Sequence, residues 1–144
     1  MVSKKILGQY SDLQEEIKEL RQRIEKTELQ IARIEEQGSV VDKVMGGEGG
    51  LQPFRIEGFP YPEYSRKKTL LYSRRETLSI REKKLDEMIN QIEKFVSGID
   101  DSRMRRIISF RFIDKMSWGK VAQRIGGNTT ADSVRMEFKR FMEE

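Results

Sequence analysis

Apolar residues near the start of the sequence recur at alternating spacings of three and four, and this heptad stripe constrains the fold more than any other feature. It runs from Tyr10 to Ile34, with Thr27 at its one polar position. Glu, Lys, Arg and Gln occupy most of the positions between. A helix with so narrow an apolar stripe packs along another helix rather than into a wide core. We therefore predict a long, coiled-coil-like helix in residues 1–37.

The sequence also predicts the ends and the partner of this helix. Ser11 and Gln14 have the spacing of a capping box at its start, and Gly38 is the expected stop. We expect the stripe to form a seam between copies of the chain, which predicts a homodimer. The residues assigned to this seam are Leu13, Ile17, Leu20, Ile24 and Ile31.

A second long helix is predicted in residues 64–99. A strict seven-residue repeat of Tyr, Leu and Ile runs from Tyr64 to Ile99, and Pro60 and Pro62 lie just before it, where proline is tolerated. This segment is basic, with nine Lys or Arg against five Asp or Glu. The pattern leaves two arrangements open, namely an antiparallel hairpin of the two helices or a coiled coil between chains.

The connection in residues 38–63 has a different composition. It holds six of the 11 glycines and all three prolines, which favours turns. Valines before Gly46 and aromatic residues after Gly50 allow a short β-hairpin across the glycine-rich turn. The glycine spacing fits neither the dinucleotide fingerprint nor the P-loop, so we interpret this turn as structural.

Composition restricts the chemistry open to the chain. It contains no cysteine and no histidine, which excludes disulfides, zinc fingers and Ser-His-Asp triads. We therefore predict no catalytic residues, no metal site and no cofactor. No apolar run reaches the roughly 20 residues that span a bilayer, and the N-terminus is too polar for a signal peptide. A cytoplasmic protein, without membrane partners, is expected.

Three short helices are predicted in residues 100–144. Asp100, Asp101 and Ser102 form a strong N-cap cluster for the first helix. Ser117 is the expected cap of a second helix, which Gly126 ends, and Thr129 or Thr130 caps the last one. A tight turn before the last helix is typical of a helix-turn-helix unit. The predicted fold class is thus all-α, with two long helices and a C-terminal helix-turn-helix.

The stretch from Arg106 to Gly126 resembles the C-terminal promoter-reading domain of bacterial sigma factors. It has the Arg111-Phe112 pair, and it has Val121, Ala122, Ile125 and Gly126 in the pattern of the helix that follows in that domain. The whole chain is similar to the RinA/ArpU-like phage transcriptional regulators, through residues 56–64 and 101–106. This resemblance implies double-stranded DNA as a partner, a bacterial host cytoplasm as the location, and host RNA polymerase or another host protein as a further partner.

The last helix is the predicted DNA-reading element. Val134, Phe138 and Phe141 repeat at helical spacing and should face the core, which leaves a polar and basic opposite face. Arginine reads guanine edges well, and lysine suits phosphates. The residues predicted to contact bases are Ser133, Arg135 and Met136. The residues predicted to contact phosphates are Lys120, Arg124, Thr130, Lys139 and Arg140.

Two other functions stay open on the sequence. A small terminase subunit also combines a helix-turn-helix with a coiled coil, in a ring of several copies. A phage inhibitor of a host protein, anti-CRISPR-like in character, can use the same scaffold without binding specific DNA. A nucleic-acid enzyme is disfavoured, because no catalytic cluster is present.

Overall fold

The computed structural model describes residues 3–44 and 58–143, and these form an all-helical fold. Two long α-helices are followed by a C-terminal group of shorter ones. The helices are α1 (Lys4–Val44), α2 (Tyr61–Ser97), α3 (Ser102–Ile108), a π-helical turn (Ser109–Ile113), α4 (Trp118–Ile125) and α5 (Ala131–Glu143). No helix in the described ranges is long and apolar enough to cross a membrane.

The fold divides into two compact units, and both long helices contribute to each. The first unit combines the start of α1, up to Glu16, with the chain from Arg81 onward. The second unit is Ile17–Ile80. Leu7 and Tyr10 from the start of α1 share a single core with α2 and the C-terminal helices. The helix-turn-helix is therefore packed against the start of α1 and the last turns of α2.

The predicted ends of α1 were wrong. The helix begins at Lys4, where the Ser3 hydroxyl accepts a hydrogen bond from the Ile6 amide at 3.3 Å, so Ser11 and Gln14 lie inside the helix. It also continues through Gly38 to Val44. A Cβ built on Gly38 would lie 2.6 Å from a ring carbon of Phe59, so this glycine makes room for an aromatic ring instead of ending a helix.

The connection between the long helices is accordingly shorter than predicted. Residues 38–44 belong to α1, which leaves no strand at the valines before the glycine-rich turn. The rest of the predicted hairpin, residues 45–57, lies outside the described residues. The second helix matches its prediction closely, since α2 starts at Tyr61, with Pro62 in its first turn, and ends at Ser97.

The second unit is an antiparallel pairing of α1 with α2. Thr27 and Glu28 are opposite Arg74 and Arg75, while Glu35 bonds to Tyr64. Ile24, Ile31 and Leu71 form the core between them. Most of the predicted oligomer seam is therefore buried within one chain: Ile17, Leu20, Ile24 and Ile31 are each less than 9% exposed, and Leu13 is half-buried. The hairpin arrangement is the one the chain adopts.

Local capping explains the short helices. The Asp101 carboxylate accepts from the Arg103 amide at 3.0 Å and caps α3, and the Ser117 hydroxyl accepts from the Lys120 amide at 3.2 Å and caps α4. Gly126, at φ 85°, ends α4 in a conformation that favours glycine. Directly after α3, the turn Ser109–Ile113 widens to π geometry, where the Asp114 amide bonds to the Ser109 carbonyl.

Candidate nucleic-acid interface

Helix α5 has one face in the core and one in solvent. Val134 is fully buried and Phe138 is 2% exposed, as the helical spacing predicted, while Phe141 is half-buried. Arg135, Met136, Lys139 and Arg140 are all exposed. The register of the last helix is therefore the predicted one, and its basic residues are accessible.

The start of α5 is held by a reciprocal cap. The Ser133 amide donates to the Thr130 hydroxyl at 3.1 Å, and the Thr130 amide donates to the Ser133 hydroxyl at 2.9 Å. The Ser133 hydroxyl in turn donates to the Thr130 carbonyl at 3.0 Å. Both hydroxyls were predicted to contact DNA, and in this structure both are used to define where the helix begins.

Two arginines of α3 bond to α4, to α5 and to the turn between them. Arg103 forms an ion pair with Glu137 of α5 at 2.9 Å and donates to the Thr129 hydroxyl in the turn. Arg106 donates to the Arg124 carbonyl, the next-to-last residue of α4, and its guanidinium lies 5.6 Å from the centre of the Phe110 ring. These contacts fix α4 and α5 relative to α3, which is the condition for presenting a rigid reading helix.

An aromatic cluster lies beneath the exposed face of α5. The ring of Phe138 is 5.2 Å from Phe112 and 5.6 Å from Trp118, measured between centroids. The Arg111 guanidinium stacks 4.8 Å from the Trp118 centroid and donates to the Met116 carbonyl at 3.0 Å. The indole and the carbonyl thus hold this guanidinium in place.

The predicted contact residues lie on α4 and α5 of one unit, except for Thr130, which directly precedes α5. Lys120 and Arg124 are exposed on α4, and Arg124 lies 5.9 Å from the Phe110 ring centre. On α5, Arg135 is over half exposed and its nearest acidic oxygen, on Asp132, is 3.9 Å away. A contact this long between exposed groups in high dielectric holds the side chain weakly. Arg135 is therefore accessible to another anion.

A basic cleft adjoins α5, and its α1 contribution was not predicted. Its volume is about 240 Å³, and Lys4 and Gly8 of α1 line it together with Arg135 and Lys139 of α5. Arg111 and the aromatic cluster form the rest of the wall. No local pattern in the sequence links residues so far apart, although Leu7 continues the apolar spacing back from Tyr10 and was the available signal.

Several basic residues of α2 pair with α1. Lys67 donates to Gln30 at 3.0 Å, Lys68 lies 3.7 Å from Glu35, and Arg75 lies 3.8 Å from Glu28. A hydrogen bond that the Lys68 ammonium donates to the Tyr64 hydroxyl raises the pKa of Lys68 above its ordinary value. These contacts explain why the helix is basic where its partner is acidic.

Comparison of the chain with known protein families, curated proteins and solved structures finds no match.

Proposed function

We propose that this chain is a sequence-specific DNA-binding regulator of phage type, which reads its operator with α5 of the helix-turn-helix. One observation carries the proposal: α5 buries Val134 and Phe138 while it exposes Arg135, Met136 and Lys139 next to one another. A recognition helix needs this division, since its apolar side must be held rigidly while its other side enters the major groove.

The exposed side chains divide by chemistry. Arg135 and Met136 are proposed to contact base edges, because they lie in the first turns of α5 and arginine pairs with guanine in the major groove. Lys139 and Arg140 are proposed to contact phosphates, with Lys120 and Arg124 of α4 on the adjacent backbone. The Thr130 and Ser133 hydroxyls are proposed as secondary contacts, because their capping bonds leave them less free.

The resemblance to sigma factors extends this proposal to partners. Host RNA polymerase is the proposed protein partner of a regulator with such a domain. A homodimer is also proposed, because paired helix-turn-helix units read half-sites about 34 Å apart. The heptad stripe does not support the dimer, since α2 of the same chain already covers it. The dimer must use a different surface.

The decisive experiment compares alanine variants on duplexes selected by the protein and on scrambled duplexes, at several salt concentrations. Arg135→Ala should cost about 1–3 kcal/mol on the selected site and relax the preference at one base pair. Lys139→Ala should weaken binding to every sequence alike and lower the salt slope by about one unit. Lys18→Ala, on an exposed part of α1 in the second unit, is the control and should change neither quantity.

The same titration separates the alternatives. A complex of two chains on a selected site supports the regulator, whereas a ring of several copies supports a small terminase subunit. If the unmodified protein shows no preference between the duplexes and its binding vanishes by physiological salt, the regulator proposal is contradicted and an inhibitor of a host protein takes its place.

A further inference from the structure

The cleft between the start of α1 and the exposed face of α5, called here the α1–α5 cleft, concentrates positive charge. Four of its lining side chains are cationic, and none of the described residues that line it is acidic. Asp132, which does not line the cleft, lies 3.9 Å from Arg135, whereas elsewhere in the same unit Arg103 pairs with Glu137 at 2.9 Å and Lys115 with Glu15 at 2.6 Å. Like charges around one concave site repel, and an anion bound there removes that repulsion.

The donors in the cleft are partly fixed before any ligand arrives. Arg111 is held by the Met116 carbonyl and by the face of Trp118, so its guanidinium cannot swing into solvent freely. Lys139 follows Arg135 by one turn of α5, so that both side chains reach the same cleft. Lys4 approaches from α1 on the other side. Fixed and converging donors bind an anion at a lower entropic cost than mobile ones.

Gly8 of α1 supports a ligand in this cleft independently of the charges. Glycine is among the poorest helix formers, yet Gly8 lies inside α1. A Cβ built on it would meet none of the described atoms within 4 Å, so packing against the described residues does not require a glycine there. The position lines the cleft, and a bare backbone at that point keeps the wall open to a ligand.

We infer that the α1–α5 cleft is a phosphate-binding site, with Lys4, Arg111 and Lys139 as its cationic donors. Arg135 lines the cleft from α5 and adds to its positive charge, while its proposed contact stays a base edge. Phosphate presents several acceptor oxygens, which suit a mixed set of Arg and Lys donors. The phosphate can come from the DNA backbone beside α5, in which case the inference rests on the proposed function, or from a soluble phosphorylated compound. In the first case Lys4 makes α1 part of the DNA interface.

The one tryptophan of the chain, Trp118, lines this cleft and reports its occupancy by fluorescence. Pyrophosphate is titrated into the full chain, and the chloride concentration is lowered at each step so that the ionic strength stays constant. We expect a saturable change in emission that Lys4→Gln and Gly8→Ala each weaken at least about threefold, since each removes a single contact or fills the wall. Lys5→Gln is the matched control, because Lys5 is exposed on the same turn and does not line the cleft.

A second arm repeats the series with the selected duplex. Weaker duplex binding by Lys4→Gln and Gly8→Ala, but not by Lys5→Gln, assigns the phosphate to DNA. Loss of pyrophosphate binding alone, with duplex binding unchanged, assigns it to a soluble compound. If neither titration responds to these variants while circular dichroism shows them folded, the inference is overturned. In that case the proposed regulator function still stands if the unmodified protein prefers the selected duplex over the scrambled one. Conversely, a protein that binds pyrophosphate but prefers neither duplex refutes the regulator function and leaves the phosphate site intact.

Discussion

Among the described residues, Thr27 is the one polar residue that is less than 9% exposed. It lies within the otherwise apolar stripe of α1. Its hydroxyl donates to the Arg23 carbonyl at 2.8 Å and accepts from Arg74 of α2 at 2.7 Å. A polar pair of this kind selects one register of a helix pair, because any shift along the helices leaves both partners unsatisfied.

Removing one partner of this pair should cost more than removing both. We expect Thr27→Val to lower the free energy of unfolding by about 1–3 kcal/mol, because Arg74 loses its acceptor in a half-buried site. The double variant Thr27→Val with Arg74→Met should recover most of that loss, since it replaces the pair by apolar groups. Urea unfolding of the unmodified protein, of Thr27→Val and Arg74→Met alone, and of the double variant measures the cycle.

Arg75→Met is the control for this cycle. Arg75 lies 3.8 Å from Glu28, and both side chains are half exposed, so the loss should stay under about 1 kcal/mol. A double variant that is no more stable than Thr27→Val alone would show that the pair does not act as a unit.

At the scale of the element, α1 contains two glycines with different reasons to be there. Gly38 is buried against Phe59, whose ring also lies 4.6 Å from Tyr61 and 5.4 Å from Tyr64 between centroids. Gly8 has no such neighbour among the residues that the structure describes. The same substitution at the two positions therefore separates helix propensity from packing.

Gly8→Ala should raise the free energy of unfolding by about 1 kcal/mol, since alanine favours the helix and meets no atom. Gly38→Ala gains the same propensity but must displace the Phe59 ring, and overpacking costs about 1–3 kcal/mol, so we expect a net loss. Thermal unfolding followed by circular dichroism ranks the two variants. Equal stabilisation by both would mean that the ring moves aside without cost.

At the scale of the whole molecule, the first turn of α1 belongs to the core that holds the helix-turn-helix. Leu7 is fully buried in that core together with Ile92, Ile107 and Val134. The N-terminal residues thus stabilise the unit that contains α5, although they are distant from it in sequence. This arrangement also brings Lys4 and Gly8 to the α1–α5 cleft.

Leu7→Ala should therefore destabilise the first unit by about 2–5 kcal/mol, as expected for a truncated, fully buried leucine. Trp118 fluorescence measures this loss directly, because the indole lies in the same unit. Leu29→Ala on the same helix is the control, since Leu29 is 56% exposed and such changes stay within about 0.5 kcal/mol. An unchanged Trp118 transition in Leu7→Ala would place the N-terminal turn outside the core.

Much of the fold could be predicted because it depends on local rules. The heptad spacing around Ile17 and Ile24 predicts a helix wherever its partner comes from, and caps such as Asp101 and Ser117 act on amides two or three residues away. The burial of Val134 and Phe138 follows from helical periodicity in the same way. These features need only neighbouring residues, and a sequence contains them directly.

The partner of each apolar face was decided only by the tertiary structure. The stripe of α1 is equally suited to a second chain or to α2, and the hairpin that forms covers it with residues such as Leu71. The role of Gly38 depends on a ring 21 positions away, and the α1–α5 cleft depends on Lys4 meeting Lys139 across nearly the whole sequence. Periodicity specifies which side of a helix is apolar, but it carries no information on what that side will meet, because long-range contacts are selected by packing of the complete chain.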